Sequence, residues 1–172
     1  MIRTATIGVA LALLLAGCAT MGSGEPKATV RLEPTKGSAA AGTVMFVQRG
    51  GRVVVTASVT GLNPNAEHGF HVHEKGDCSS GDGMSAGGHF NPDGLPHGAQ
   101  AVPHHAGDLP ALAADASGTA KATFTLDGVT VAAGPNSIVG RGLIVHKDPD
   151  DYKTQPTGNS GARIACGVIK AG

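Results

Sequence analysis

Seven residues of this chain have the type and spacing to hold metal ions: His71, His73, His89, His97, His105, Asp108 and His146. Imidazole nitrogens joined by one carboxylate suit zinc, copper or iron far better than calcium or magnesium, which take oxygen ligands. His71 and His73 flank Val72 in a run that reads as a strand. Period-two geometry then sends both imidazoles to one face and Val72 to the other, into the core. His146 ends a second apolar run, Leu143-Ile144-Val145-His146, and would also be presented by rigid backbone. His89, His97, His105 and Asp108 follow one another at intervals of eight, eight and three. Turn-forming residues surround them (Asn91-Pro92, Asp93-Gly94, Pro96, Gly98, Pro103, Gly107), so the chain can reverse repeatedly around a small ion. Three His and one Asp make a closed tetrahedral zinc set. His68 and His104 find no partner in this scheme and are expected to be solvated.

The elements that must position these groups are strands. Thr29–Leu32, Gly42–Gln48 and Arg52–Thr60 are rich in Val and Thr, and Arg49-Gly50-Gly51 reads as the hairpin turn between the last two. Ala120, Ala122, Phe124 and Leu126 alternate with Lys121, Thr123 and Thr125, the pattern of a strand with one dry and one wet face. Phe70–His73, Ile138–His146 and Ile164–Ile169 complete the set, and no helical period is present after the leader. Short strands split by Gly and Pro clusters predict an all-β fold: a Greek-key antiparallel β-sandwich or flattened barrel. Two stretches, Glu74–Pro110 and Lys147–Gly161, resist strand assignment. Loops of that length in one compact domain are usually functional or disordered.

The chain is 172 residues long, which fits one domain, and it has no Trp, one Tyr (Tyr152) and four Phe, so its core must rest on Val, Ile, Leu and Ala. Its 13 basic and 13 acidic residues cancel. Without a net positive field a nucleic-acid partner is excluded as a main ligand. Residues 1–17 read as a signal peptide: Arg3 leads an apolar run, Ala5–Ala16, too short to span a bilayer as a mature helix. The run ends in Leu15-Ala16-Gly17-Cys18, which resembles a bacterial lipobox, with Cys18 as the lipidated first residue. Residues 18–27 are small and polar, a flexible tether of about 30 Å reach. The domain is expected over 28–172. An exported periplasmic or cell-envelope lipoprotein follows, held to a membrane by its N-terminal lipid. Ala19 in place of an acidic residue favours an outer membrane over an inner one. With Cys18 lipidated, Cys78 and Cys166 remain as a pair in an oxidising compartment and are expected to form a disulfide. It would close a loop of about 90 residues, worth about 4–5 kcal/mol in the loop-entropy account.

Six motifs in order carry a resemblance. They are Gly69-Phe70-His71-Val72-His73, Gly88-His89-Phe90-Asn91-Pro92, His97-Gly98, His105-Ala106-Gly107-Asp108-Leu109, Val145-His146 and Gly161-Ala162-Arg163-Ile164-Ala165-Cys166-Gly167-Val168. From about Ala28 to Lys170 the chain resembles the copper/zinc superoxide dismutases. Asp77-Cys78-Ser79 and Asp150-Asp151-Tyr152-Lys153 bring it nearest the exported bacterial branch.

The resemblance implies an oxidoreductase that dismutes superoxide to dioxygen and hydrogen peroxide with one copper and one zinc ion per chain. It implies copper at His71, His73, His89 and His146, and zinc at His89, His97, His105 and Asp108. His89 would be shared as a bridging imidazolate and proton donor, with Asp150 joining a copper ligand to a zinc ligand. Arg163 would orient the anionic substrate and Thr157 would wall the channel. Lys147 and Lys153, on the second long loop, are either local attractors of the anion or solvated lysines. A metal-buffering protein of the same fold would need the ligands but not Arg163, and here all are present. A homodimer is compatible with the sequence, which does not otherwise fix the oligomer.

Overall fold

Alternating dry and wet positions carry directly into the structure, a computed structural model that describes residues 24–172. The leader, Cys18 and most of the tether lie outside the described residues. The strands are β1 (Lys27–Pro34), β2 (Ala41–Arg49), β3 (Arg52–Thr60), β4 (Glu67–His68), β5 (Phe70–His73), β6 (Leu112–Ala113), β7 (Ala120–Leu126), β8 (Gly142–His146), β9 (Arg163–Val168) and β10 (Lys170–Ala171). A 3-10 turn at Met84–Ala86 is the one helical element among the described residues. Ordered pairing starts at Lys27, opposite Val47, one residue before the expected start of the domain.

The main sheet runs β5-β8-β9-β1-β2-β3-β7, all antiparallel, with β10 beside the first half of β1. β1 to β3 form a meander. The chain then crosses to β5, returns to place β7 against β3, and crosses again so that β8 lies between β5 and β9. These crossings give the Greek-key order expected of a curled antiparallel sandwich. Val30 and Leu32 of β1, Phe46 of β2, and Val53 and Val55 of β3 face inward and are buried. They pack in one core with Phe70 and Val72 of β5, Leu143 and Val145 of β8, and Ala165 of β9. Ala120 and Leu126 of β7 are buried while Lys121, Thr123 and Thr125 are exposed, as the alternation predicts.

Three details differ from the sequence expectation. The run from Ile138 becomes a strand only at Gly142, because Arg141 N turns back to the Ile138 carbonyl at 3.2 Å and Gly140 N to the Ile169 carbonyl at 2.8 Å. β9 starts at Arg163 rather than Ile164, since Arg163 pairs across to His146. β4, β6 and β10 span two residues each, too short for any periodic signal to reveal.

β5 and β8 are buried on both faces. One face is the core. The other carries His71, His73, Ile144 and His146, and the two long loops cover it. A small apolar cluster of Ala86, Ile144, Cys166 and Cys78 ties the first loop to that outer face. The disulfide between Cys78 and Cys166 is formed, with 5.8 Å between Cα atoms across a sequence separation of 88. The loop also docks on β5 as if it were more sheet. Val72 N donates to the Gly107 carbonyl at 2.9 Å, Phe90 N to the Val72 carbonyl at 2.8 Å, and Gly107 N to the Phe90 carbonyl at 2.8 Å. A Cβ at Gly107 would overlap the Val72 carbonyl, so this approach needs glycine. As a result His89 lies opposite His73, and Asp108 opposite His71. Arg141 closes the edge: its guanidinium carbon sits 3.5 Å over the Phe90 ring, and it donates to the Glu74 carbonyl at 3.0 Å.

Candidate metal centre

The two faces of backbone just described bring all seven predicted ligands together in two buried groups. In each group the available ligand atoms lie within 4.8 Å of one another. One group is His71, His73, His89 and His146; the other is His89, His97, His105 and Asp108. His89 belongs to both.

In the first group each imidazole spends one nitrogen on a fixed protein acceptor. His71 Nε2 lies 2.6 Å from Asp150 Oδ2, His73 Nδ1 2.9 Å from the Gly87 carbonyl, and His146 Nδ1 3.2 Å from the Gly161 carbonyl. The opposite nitrogens, His71 Nδ1, His73 Nε2 and His146 Nε2, are buried and have no hydrogen-bond partner among the described residues; His89 Nε2 is the same. A buried polar atom left alone costs about 1–3 kcal/mol. Four such nitrogens converging on one point fit a soft-to-borderline divalent ion such as copper. Burial is the main reason these rings stay neutral. It pushes His71 down to about 4 against the opposing pull of its Asp150 hydrogen bond. It takes His73 to about 2 and His146 to about 3, with neighbouring positive groups acting the same way. Neutral imidazole is the metal-binding form.

The second group centres on Asp108. Its Oδ1 lies 2.8 Å from His89 Nδ1, 2.9 Å from His97 Nδ1 and 3.3 Å from His105 Nδ1. Its Oδ2 is held by Gly98 N at 3.1 Å and His105 N at 3.0 Å. Ligands bound to one tetrahedral zinc at about 2.0–2.1 Å stand about 3.3 Å apart, so three nitrogens and one oxygen at these separations fit zinc. The His97–Asp108 contact is short, yet His97 Nδ1 makes no well-aligned hydrogen bond. Two ligands aimed at a common centre, rather than at each other, have that geometry. Burial raises the Asp108 carboxyl, but the hydrogen bond from His89, the close His97 imidazole and the Gly98 N–H outweigh it and hold the group far below the usual carboxylate range. His97 sits between Asp108 and Asp150. Burial alone would lower it, but the two carboxylates push it up to about 9.

Asp150 joins the groups. Its Oδ2 meets His71 Nε2, its Oδ1 meets His97 Nε2 at 2.9 Å, and Tyr152 N donates to Oδ1 at 2.7 Å. Outer partners of this kind fix ring orientation and raise ligand basicity. Arg163 is half-buried on β9, directly opposite His146, where a register shift after Val145 re-aims the strand. Its guanidinium donates to the Gly83 and Gly87 carbonyls, each at 2.7 Å. The Gly87 carbonyl therefore serves both Arg163 and His73. Thr157 is half-buried on the second loop; its carbonyl accepts from Ser160 Oγ at 3.5 Å.

One expectation is corrected. His68 is fully buried rather than solvated, and its Nδ1 lies 2.8 Å from the His146 carbonyl. It stands one residue before Gly69, whose carbonyl accepts from His146 N at 2.8 Å. Sequence reasoning missed it because its partner is a backbone atom on another strand. It also missed Gly87, whose carbonyl is met by the His73 and Arg163 side chains, and Gln155, whose amide meets the main chain of His97. The lone tyrosine, Tyr152, is another: its ring lies parallel to that of His97.

A Greek-key β-sandwich with a copper-type and a zinc-type group sharing one histidine defines a two-metal redox protein. Residues 40–169 match the family described as copper/zinc superoxide dismutase (SODC). The chain is 48% identical over 137 residues to "Superoxide dismutase [Cu-Zn] 2" of Brassica juncea, covering 74% of this chain and 88% of that one. Among solved structures it is similar to the "clock protein EA4", with a TM-score of 0.77, 39% identity, and coverage of 85% of this chain and 94% of that one. The chain belongs to the copper/zinc superoxide dismutase family. It is an oxidoreductase that takes superoxide as substrate and carries one copper and one zinc ion.

Proposed function

We propose that His71, His73, His89 and His146 hold the copper, and that His89, His97, His105 and Asp108 hold the zinc. The observation that carries this assignment is the set of four buried, unpartnered nitrogens, matched against the Asp108 oxygen facing three Nδ1 atoms. Copper supplies the one-electron chemistry, alternating between two oxidation states, whereas zinc has a single one. His89 has one nitrogen toward each group. With copper held by the first group, His89 Nε2 would be the buried nitrogen placed to carry a proton to the reduced product. Arg163 orients the anion beside the His146 end of β8. Asp150 holds His71 and His97 at fixed angles, and Thr157 forms the other wall of the approach.

Two substitutions separate the groups. His146→Ala removes a copper-only ligand, so copper and activity fall while zinc stays near one per chain. Asp108→Ala removes a zinc-only ligand, so zinc falls first, stability drops, and activity suffers less. Loss of the same metal to the same degree in both variants would overturn the assignment.

The proposal extends to place. Residues 1–17 act as a signal peptide, Cys18 carries lipid, and residues 18–27 tether a domain of residues 28–172 outside the cytoplasm, at an outer membrane where the cell has one. The enzyme would there defend the cell envelope against superoxide. The leader's lipobox-like end and the Cys78–Cys166 disulfide support this reading. Cys18→Ser should abolish incorporation of labelled fatty acid; unchanged labelling would refute the anchor. Each chain has a complete ligand set, so the proposed chemistry needs no second copy. Sedimentation of the purified domain reads whether it forms a homodimer.

A further inference from the structure

The second loop, residues 147–161, grips His97 from several sides. Asp150 Oδ1 meets its Nε2 at 2.9 Å. The Tyr152 ring lies parallel to the imidazole, 4° between planes and 6.4 Å between centroids. Gln155 makes a two-point pair with the His97 main chain: His97 N donates to Gln155 Oε1 at 2.8 Å, and Gln155 Nε2 donates to the His97 carbonyl at 2.9 Å. Gln155 is an exposed residue. An exposed amide that uses both ends on the backbone of a buried ligand imitates a neighbouring strand. Gly158 lets the loop close this far. It has a left-handed φ of +67°, and a Cβ there would overlap both the Asp150 carboxylate and His97 Nε2.

Of the second group, His89 and Asp108 are docked on β5 and His105 is three residues from Asp108. His97 sits in the turn-rich stretch between, where Pro96 and Gly98 flank it and no strand holds it. We propose that Gln155 is a positioning residue for His97, and that its clamp sets how fast zinc leaves the second group. The inference rests on the assignment of zinc to that group. Release of a four-ligand ion begins with one ligand swinging away, and His97, eight residues from the bridged His89 and eleven from the bridged Asp108, is the ligand farthest along the chain from a strand contact. Gln155 supplies a clamp from the other loop, so the loop that lies over the copper ligands also governs zinc retention.

The test uses full-length mature protein loaded with copper and zinc. Zinc transfer to an excess of a chromophoric chelator is followed in wild type, in Gln155→Met and in Gln155→Glu. Met keeps the length and loses both hydrogen bonds. Glu keeps an acceptor for His97 N and loses the donor to the His97 carbonyl. Gln155→Met should release zinc about tenfold faster, equivalent to about 1.4 kcal/mol, in keeping with the loss of two exchangeable hydrogen bonds. Gln155→Glu should fall between. Copper release from zinc-saturated protein should be unchanged, and cobalt placed in the zinc group should give the wild-type visible spectrum in all three. A general loosening of the fold would instead speed both metals. Wild-type zinc release in Gln155→Met, or equal acceleration of copper and zinc, would overturn the role of Gln155. If Asp108→Ala retained zinc as wild type does, the ligand assignment would fall instead, so the two failures are separate.

Discussion

At the scale of single residues, the role proposed for Arg163 rests on its charge. Superoxide is a small anion with one negative charge and little shape to recognise. Arg keeps its charge at any relevant pH even though burial lowers its pKa somewhat here. The two carbonyl contacts, to Gly83 and Gly87, hold the guanidinium in place without neutralising it. For an anion about 5 Å away in a wet channel of effective dielectric about 40, Coulomb's law gives about 1.7 kcal/mol, somewhat more than tenfold in rate. Arg163→Ala should therefore lower the second-order rate about tenfold, and Arg163→Glu should lower it further. Added salt should slow the wild type and have much less effect on the Ala variant. Stopped-flow measurement on fully metallated proteins checks this. A wild-type rate in Arg163→Ala at low salt would remove Arg163 from the site.

Elements decide how much of this could be read in the sequence. β7 was legible because its residues obey a strict two-residue period, and β5 because His71, Val72 and His73 obey the same rule with the ligands on one side. The seven candidate metal ligands were legible by chemical type, and the structure gathers all of them into two groups that could hold metal. The disulfide followed from counting cysteines. What escaped was whatever depends on a contact between distant backbone segments. Nothing local marks Gln155 as the partner of His97, 58 residues away. Nothing local distinguishes His68, which is buried against a β8 carbonyl, from a solvated histidine in a loop. The two-residue strands β4 and β6 exist only because Glu67 and His68 meet Ala113 and Leu112. Arg163 was found through its motif, but its place opposite His146 depends on a local irregularity in the pairing of β8 with β9.

At the scale of the whole molecule the metal centre is also a constraint on stability, because it buries neutral histidines. Consider the metal-free protein. His71, His73 and His146 have folded-state pKa values of about 4, 2 and 3, below the ordinary 6.5, chiefly through burial. Below pH 6.5 the unfolded chain binds protons that the folded one refuses, so their contribution is fully present above 6.5 and is lost as pH falls. His97, raised to about 9, acts in the opposite sense: its contribution is full below 6.5 and is lost as pH rises through 9. His105 is lowered by burial as well, so four imidazoles act on the acid side and one on the alkaline side. Thermal unfolding of metal-free protein should show a maximum Tm near neutrality, falling more steeply toward pH 5 than toward pH 9. A Tm that rose steadily as the solution was acidified would contradict the burial of those rings as neutral groups. Bound metal should raise the whole curve and make its fall toward acid steeper, since it stabilises only the folded state and holds all its imidazole ligands, His97 included, without a proton.

The central claim is that one chain assembles a copper group and a zinc group around His89 and that this centre consumes superoxide. Superoxide dismutation and metal content measured on the same preparation of purified protein test it most directly. We predict about one copper and one zinc per chain. Activity should scale with copper across partly loaded samples and disappear when copper alone is withdrawn. Full copper and zinc occupancy without dismutation, or dismutation that persists after copper is removed, would contradict the claim.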